Sequence, residues 1–193
     1  PLSQSKVYMQ SHPPLQKRLA TNLDDAFPAL LEEMHGLVFN GARRWLPNHQ
    51  DAEDVTQEVF VRAYRALAGY EPDRIARLRL RPWLFTITLN LCRNHARGRT
   101  RRPAQTPLGS RHEASGSGTA EEAAVQAVVV DEWRDRLARL SPRQRDAIVL
   151  RHVVGLSYAE IGDVLDRPPG TVKSDVHRGL ARLREILASE GTQ

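Results

Sequence analysis

Cysteine and long apolar segments are nearly absent from this chain. Its single cysteine, Cys92, excludes an intramolecular disulfide and suits a reducing compartment. No apolar run approaches the roughly 18–20 residues that a membrane-spanning helix requires, and the first residues lack the charged-then-apolar pattern of a signal peptide. We therefore expect a soluble, cytoplasmic protein that does not insert into a membrane.

Signatures of catalysis and of metal binding are missing as well. The sequence contains no glycine-rich phosphate loop and no recognisable nucleophile–base pair. Cys92 and His95 are three residues apart on a predicted helix, but two ligands are too few for a structural zinc site. We therefore expect no enzyme activity, no metal and no cofactor.

Positive charge exceeds negative charge, and the two are segregated along the chain. The net charge is +5, and the isoelectric point is about 9.9. Residues 24–60 contain eight acids and two arginines, whereas residues 61–112 contain twelve arginines and two acids. An acidic surface beside a basic one predicts a protein partner on one side and nucleic acid on the other.

Apolar residues recur with helical spacing through most of the sequence. Aromatic residues make up only 6%, so aliphatic side chains must fill most of the core. Val55, Val59 and Ala63 fall on one face of a helix that begins near Asp51. A loop over residues 69–81 precedes a third helix, in which Pro82 suits the first turn.

Composition divides the chain into two parts. Residues 1–22 are expected to form a flexible lead-in. Residues 103–120 are rich in proline, glycine and serine and are expected to form a flexible linker. The predicted fold is all-α, with one small helical domain over residues 23–102 and a second over residues 121–193.

The second domain carries two helix-start signals. Ser141 with Gln144, and Ser157 with Glu160, have the spacing of capping boxes, in which each side chain satisfies a free backbone amide of the first turn. The helix after Ser157 is followed by a short turn and by a basic amphipathic helix. Two capped helices in this arrangement predict a helix-turn-helix.

The last helix has an apolar and a polar side. Its predicted buried face consists of Val172, Val176, Leu180, Leu183 and Leu187. Its polar face carries Lys173, Ser174, His177 and Arg178 early and Arg182 later. Early residues of such a helix reach base edges, and later arginines meet phosphates. The alternative is a surface helix with solvated charges.

Four segments of the chain carry recognisable motifs: residues 51–63 (DAEDVTQEVFVRA), 83–90 (WLFTITLN), 156–161 (LSYAEI) and 170–174 (GTVKS). Together they resemble bacterial sigma-70 family factors. The first is similar to the region 2 helix, the second to the segment that follows it, and the last two to region 4. The segments occur in the family order, with no room for the extra domains of larger members. The chain therefore resembles the extracytoplasmic-function (ECF) type.

The resemblance implies a subunit that binds core RNA polymerase, recognises −10 and −35 promoter elements and helps to open the duplex. Region 2 would dock on the clamp helices of the largest subunit, and region 4 on the flap of the second-largest subunit. The implied polymerase contacts are Asp54, Gln57, Glu58 and Arg62. Many members are held inactive by an anti-sigma factor, which would be a further partner.

Two sets of residues are candidates for promoter DNA. For the −10 element, the resemblance points to Tyr70 and Asn90 beside an unstacked base, and an acid-free arginine run adds Arg93 and Arg97 for phosphates. For the −35 element the candidates are Thr171, Lys173, Ser174, His177, Arg178 and Arg182. Tyr70 could equally be a loop-anchoring core residue, and Asn90 a satisfied helix amide.

Other interpretations stay open at this point. A helix-turn-helix regulator could bind DNA without polymerase, and the acids near Asp51 could serve a metal-dependent nuclease. Asp175 departs from the family pattern, because many relatives carry a basic residue there and phosphate repels an acid. It could accept a hydrogen bond from a cytosine amine or pair with Arg178.

Overall fold

The structure, a computed structural model, describes residues 13–101 and 120–191, with side chains described for residues 13–98 and 128–191. The helices are α1 (Leu15–Thr21), α2 (Leu23–Trp45), α3 (His49–Ala68), α4 (Pro72–Ala76), α5 (Leu80–Arg101), α6 (Ala120–Ala138), α7 (Pro142–Ile148), α8 (Tyr158–Leu165) and α9 (Pro169–Glu190). A π-helical segment, Val149–Val153, follows α7. These residues include no strand, and the all-α prediction is confirmed.

Helix α1 replaces part of the expected flexible lead-in. Leu19 is only 1% exposed, and the helix packs against α2 and α4. Tertiary packing stabilises a seven-residue helix that would be marginal alone. The expectation of a flexible segment is therefore wrong for residues 13–22, while residues 1–12 lie outside the described part of the chain.

Helices α2, α3 and α5 form the core of the first unit. Val38, Val59 and Leu84 are completely buried between them. The side chain of Asn48 accepts a hydrogen bond from the backbone amide of Asp51, so α3 begins two residues before the acid that marked its predicted start. A Cβ on Gly41 would lie 3.1 Å from the Phe85 ring, because α2 and α5 approach closely there.

The predicted loop over residues 69–81 is partly helical. Pro72 opens the short helix α4, where its lack of a backbone donor costs nothing. Ile75 anchors the helix because it is only 4% exposed. Helix α5 then begins at Leu80, so Pro82 lies in its first turn as expected.

The second unit contains the helix-turn-helix. Both predicted capping boxes, at Ser141 and Ser157, are present. Asp166 ends α8 with a φ of 53°, and the turn folds back so closely that a Cβ on Gly162 would lie 2.7 Å from the carbonyl oxygen of Arg167. Helix α9 follows directly, so α8 and α9 form a tight helix-turn-helix pair.

The buried face of α9 differs from the prediction at its end. Val172, Val176 and Leu183 are buried and Leu180 is half-buried, but Leu187 is 39% exposed and Ile186 takes its place at 1%. The helical repeat of 3.6 residues rotates the inner face away from Leu187. Gly179 belongs to this face, since a Cβ there would lie 2.5 Å from the Cδ1 atom of Ile148.

The predicted linker over residues 103–120 lies outside the described residues apart from its last residue, which begins α6. Across this gap the two units contact one another. Helix α2 packs against α6 and the π-helical segment, and α5 packs against α8. Among the described helices, none combines the length and the apolar character needed to cross a bilayer.

Candidate protein and nucleic-acid interfaces

Helix α3 presents the predicted polymerase contacts on its outer face. Asp54, Gln57 and Arg62 are exposed, and the side chain of Glu58 is 44% exposed. Arg62 Nε lies 2.6 Å from Glu58 Oε1, and the amide of Gln50 donates to Asp54. The four predicted side chains therefore share one accessible surface, held in order by pairs four residues apart.

Two exposed apolar side chains lie on the outer face of α3 and were missed by sequence reasoning. Val61 is 43% exposed and Tyr64 38% exposed. The Tyr64 hydroxyl donates to Asp24 on α2, which raises the pKa of the tyrosine. The available signal was a valine and a tyrosine on the polar side of an amphipathic helix. An apolar patch among charges is typical of a protein-binding surface.

The −10 candidates on α5 form one stripe. Trp83, Thr86, Asn90, Arg93 and Arg97 follow one another at steps of three and four residues, which places them on one helical face. Asn90, Arg93 and Arg97 are exposed. The stripe runs from an aromatic ring to two guanidinium groups, so it could stack a base at one end and contact phosphates at the other.

An open cavity of about 510 Å³ lies at the aromatic end of this stripe. Trp83 and Thr86 line it together with Arg74, Arg77 and Arg79, and Asp163 on α8 of the second unit also faces it. The half-buried Trp83 indole forms part of the cavity wall. Arg74 lies on α4, and Arg77 and Arg79 lie between α4 and α5.

Tyr70 and Asn90 are not part of the cavity lining. The half-buried Tyr70 ring packs against the core, meets Trp83 edge-on and is covered by the Arg74 guanidinium at 3.6 Å from its centroid. Tyr70 therefore lies behind the cavity wall, as the core-anchoring alternative implies. Its ring supports Trp83 and Arg74, which themselves reach the cavity.

The predicted −35 residues all lie on the exposed side of α9. Thr171, Lys173, Ser174, His177, Arg178 and Arg182 are each exposed. The Ser174 hydroxyl donates to the carbonyl of Gly170, and Arg182 pairs with Glu185 at 2.7 Å. The N-terminal half of α9 is thus a polar, cationic surface backed by Val172 and Val176, as a groove-entering helix requires.

Asp175 points away from this surface. Its side chain is only 8% exposed and lies between Arg167 of the turn and Arg178 of α9, with both N···O distances at 3.1 Å. Of the two roles considered for it, the pairing with Arg178 is present. Asp175 therefore adds an internal ion-pair network instead of an acid on the outer surface.

The N-terminus of α8 is also held by a carboxylate, that of Glu160, which accepts hydrogen bonds from a nearby residue. The Ser157 backbone amide and hydroxyl both donate to Glu160, which lowers the pKa of that carboxyl, and Arg79 of the first unit adds to the effect. Arg79 also lies 2.6 Å from Asp163. A cavity arginine of the first unit is thereby attached to the first helix of the helix-turn-helix.

A second contact between the units centres on Asp146. This carboxylate is 3% exposed and accepts from Trp45 Nε1 at 3.0 Å and from Arg93 Nη2 at 2.7 Å. Burial, followed by the charge of Asp146, raises the pKa of nearby Cys92 to about 12. Arg93, a −10 candidate, is therefore engaged by the other unit in this arrangement.

Comparison with known proteins gives these surfaces a context. The family model Sigma-70 region 2 matches residues 30–102, and Sigma-70, region 4 matches residues 131–183. The ECF RNA polymerase sigma factor SigE of Mycolicibacterium smegmatis is 33% identical over 178 residues, covering 90% of this chain and 67% of that protein. The RNA polymerase sigma factor CarQ of Myxococcus xanthus is 31% identical over 89% of this chain and 94% of its own length.

The chain is an ECF-type sigma factor of the sigma-70 family. It directs RNA polymerase to promoters, and a regulator that works without polymerase is not favoured. Helices α2–α5 of this sigma factor correspond to region 2, and α6–α9 to region 4.

Solved structures agree with this fold. CnrH in complex with the cytosolic domain of CnrY superposes with a TM-score of 0.68 at 26% identity, covering 91% of this chain and 96% of that chain. The sigma factor RpoE of Bartonella quintana, in complex with the anti-sigma factor NepR, gives 0.63 at 27% identity over 84% and 96%. Both neighbours were solved with a bound protein partner.

Proposed function

We propose that this sigma factor divides its work among three helices: α3 binds core polymerase, α5 engages the −10 element and α9 reads the −35 element. The single observation that supports this division is that each helix buries an apolar side and leaves its candidate polar residues accessible. Two candidates are exceptions: the Tyr70 ring supports the cavity wall from behind, and the Arg93 guanidinium is bound by Asp146 of region 4. The flap of the second-largest subunit would receive region 4, while the clamp helices would receive α3.

The α3 surface combines the chemistry that a protein interface requires. Asp54, Gln57, Glu58 and Arg62 supply directional polar groups, and the exposed Val61 supplies apolar area among them. This face is accessible while region 2 and region 4 contact one another. Polymerase binding through α3 could therefore precede any separation of the two regions.

The α5 stripe suits an unpaired strand. A base leaving the duplex could enter beside Trp83, on the region 2 wall of the cavity, once separation of the two regions removes Asp163 from the other wall. Asn90 offers an amide to a base edge further along the helix. Arg93 and Arg97 would follow the phosphates. We assign the −10 element and strand opening to this stripe, with Trp83 as an addition to the residues expected from the sequence.

An anti-sigma factor is a further proposed partner. RpoE, which shares the fold over most of both chains, was solved with the anti-sigma factor NepR. We expect such a factor to compete with core polymerase for this chain. Since polymerase and promoters lie in the cytoplasm, we place the activity there. We also propose that the chain has no catalytic activity, which a DNA cleavage assay with added magnesium would test.

Reconstitution with core RNA polymerase tests the proposal. The full chain should co-purify with core, enrich specific promoters from a random DNA pool and leave unpaired thymines near −10 that react with permanganate. A chain that binds DNA equally well without core and never enriches promoters would instead be a simple helix-turn-helix regulator.

A matched pair of variants locates the polymerase surface. Asp54→Asn with Glu58→Gln removes one exposed acid and one acid with a 44% exposed side chain from α3. Glu32→Gln with Glu33→Gln removes two exposed acids from α2. Both pairs change the net charge equally. Core binding should weaken about tenfold in the first pair only; equal weakening in both would mean that general charge, and not the α3 face, governs binding.

A further inference from the structure

One acidic side chain on α9, the helix proposed to read the −35 element, is turned inward. Asp175 lies one residue after Ser174 and three before Arg178, yet its side chain is only 8% exposed while that of Arg178 is 64% exposed. A carboxylate at the protein–DNA interface would repel phosphate. Its burial places the charge behind the α9 surface, where it meets two arginines.

The two arginines come from different elements. Arg167 belongs to the turn between α8 and α9, and its Nη1 lies 3.1 Å from Asp175 Oδ2. Arg178 belongs to α9, and its Nη2 lies 3.1 Å from Asp175 Oδ1. Each carboxylate oxygen thus contacts its own guanidinium. Asp175 therefore links the turn to α9 and restrains the exposed Arg178 side chain.

We infer that Asp175 is a positioning residue for −35 specificity, which holds the Arg178 guanidinium in the orientation that reads a base edge. This inference depends on the proposed −35 role of α9. A guanidinium has five donors in a rigid fork, and one engaged Nη2 group leaves the others for a ligand. The acceptor pair that matches this fork in the major groove is O6 and N7 of guanine.

Restraint matters because a free arginine side chain has many rotamers. Ordering them on binding costs affinity, and a misaligned fork accepts phosphate as readily as a base. The Asp175 carboxylate orders the Arg178 side chain before DNA binds. The buried acid therefore lowers the general attraction of this surface to phosphate and improves its discrimination among bases.

Two simpler roles for Asp175 make different predictions. If Asp175 only repels DNA, Asp175→Asn should strengthen binding to every sequence and leave discrimination unchanged. If Asp175 only holds the turn through Arg167, Arg167→Ala should reproduce every effect of Asp175→Asn. Positioning of Arg178 instead predicts a loss of discrimination that depends on Arg178 being present.

The experiment uses the full chain reconstituted with core polymerase. Promoters are first selected by the wild-type holoenzyme from a pool randomised across the −35 element. Binding of each variant holoenzyme is then measured on the selected promoter and on single-base substitutions of it. Failure of the wild type to enrich any promoter would overturn the proposed function itself, whereas every later comparison addresses Asp175 alone.

We expect Asp175→Asn and Arg178→Ala each to lower discrimination at one base pair by about tenfold. The double variant should be no worse than Arg178→Ala, and Arg167→Ala should have the smaller effect. The inference is overturned if Asp175→Asn keeps wild-type discrimination, or if its loss persists undiminished in the Arg178→Ala background.

Glu185→Gln is the matched control. It removes a carboxylate three residues from an arginine on the same helix, but the Arg182–Glu185 pair is exposed, with 55% and 64% of the two side chains accessible. Releasing Arg182 should leave discrimination unchanged. An equal loss in both variants would count against a special role for the buried acid.

A second measurement does not depend on the folding of any Asp175 variant. The guanidinium signals of Arg178 in wild-type protein, assigned by their loss in Arg178→Ala, report rotation of the group by NMR. Rotation slowed relative to Arg182 in the Glu185→Gln variant, where that arginine has lost its ion pair, is the expected result. An Arg178 guanidinium that rotates as freely as the released Arg182 would overturn the inference.

Discussion

Region 4 contains two buried aspartates that use the same chemistry over different distances. As whole residues, Asp146 and Asp175 are 3% and 5% exposed, and each accepts a hydrogen bond from an arginine. The partners of Asp146 are Trp45 and Arg93 in region 2, whereas those of Asp175 are within eight residues. One network therefore joins two regions, and the other is built within a single helix-turn-helix.

This difference decides which network can survive on a promoter. The −10 and −35 elements are about 25 base pairs apart, or roughly 85 Å along B-form DNA. A compact chain of this length has a radius of gyration of about 16 Å. We expect region 2 and region 4 to separate on promoter binding, which breaks the Asp146 contacts and keeps those of Asp175.

The largest expected effect concerns Cys92, the only cysteine in the chain. It is 2% exposed, and burial next to Asp146 raises its pKa to about 12, so the thiol is almost entirely protonated at pH 8. Asp146→Asn weakens the contact between the regions and removes the nearby charge. Alkylation of Cys92 should become at least about tenfold faster, as measured by mass spectrometry.

Asp175→Asn provides the comparison for this result. It removes an equally buried carboxylate without touching region 2, so Cys92 should stay unreactive. Equal acceleration in both variants would show that the reagent detects general loosening of region 4 and not separation of the regions.

The next largest effect comes from a backbone change in the turn between α8 and α9, which Asp175 links to α9. Gly162→Ala would place a Cβ 2.7 Å from the carbonyl oxygen of Arg167, and the turn that Asp175 holds must shift. We expect a loss of about 1–3 kcal/mol in the free energy of unfolding, measured by urea denaturation.

Gly36→Ala is the control for that loss, because a Cβ at Gly36 on α2 meets nothing within 4 Å. It should raise stability by about 0.5–1 kcal/mol through the higher helix propensity of alanine. A similar loss in both variants would remove the argument that the tight turn requires glycine.

The smallest effect concerns Glu160, which has one partner within its own helix start and one in region 2. Ser157 lowers the pKa of Glu160 locally, and Arg79 of region 2 adds to this across the regions. A lowered carboxyl pKa contributes stability above the unfolded value of about 4.3, and this stability is lost as pH falls through the folded value. Glu160→Gln should therefore flatten the acid side of the stability profile by less than about 1 kcal/mol.

Urea denaturation between pH 7 and pH 3 measures this change. The glutamine can still accept from the Ser157 amide, so helix α8 should remain capped. A wild-type profile with the same acid slope as the variant would mean that Glu160 has no part in the pH dependence.

Short-range features of this sigma factor followed directly from its sequence. The Ser141 and Ser157 capping boxes, the all-α fold and the exposed face of α9 depend on residues within one or two helical turns. Their geometry is fixed by the helical repeat and by backbone donors that need partners. Periodicity became unreliable only at the end of α9, where it favoured Leu187 over the buried Ile186.

Longer-range features were decided by the tertiary structure. Helical spacing places Asp175 at the edge of the buried face, three residues after Val172, but it does not say which arginines meet the carboxylate there. Nothing in the sequence joins Asp146 to Trp45 across 101 residues. The docking of α1 against α2 and α4 and the Trp83 cavity have the same origin. Composition and spacing determined which helices form and which side of each is apolar. Packing between distant helices decided where each buried charge finds its partner, because that choice depends on desolvation and on contacts absent from any local segment.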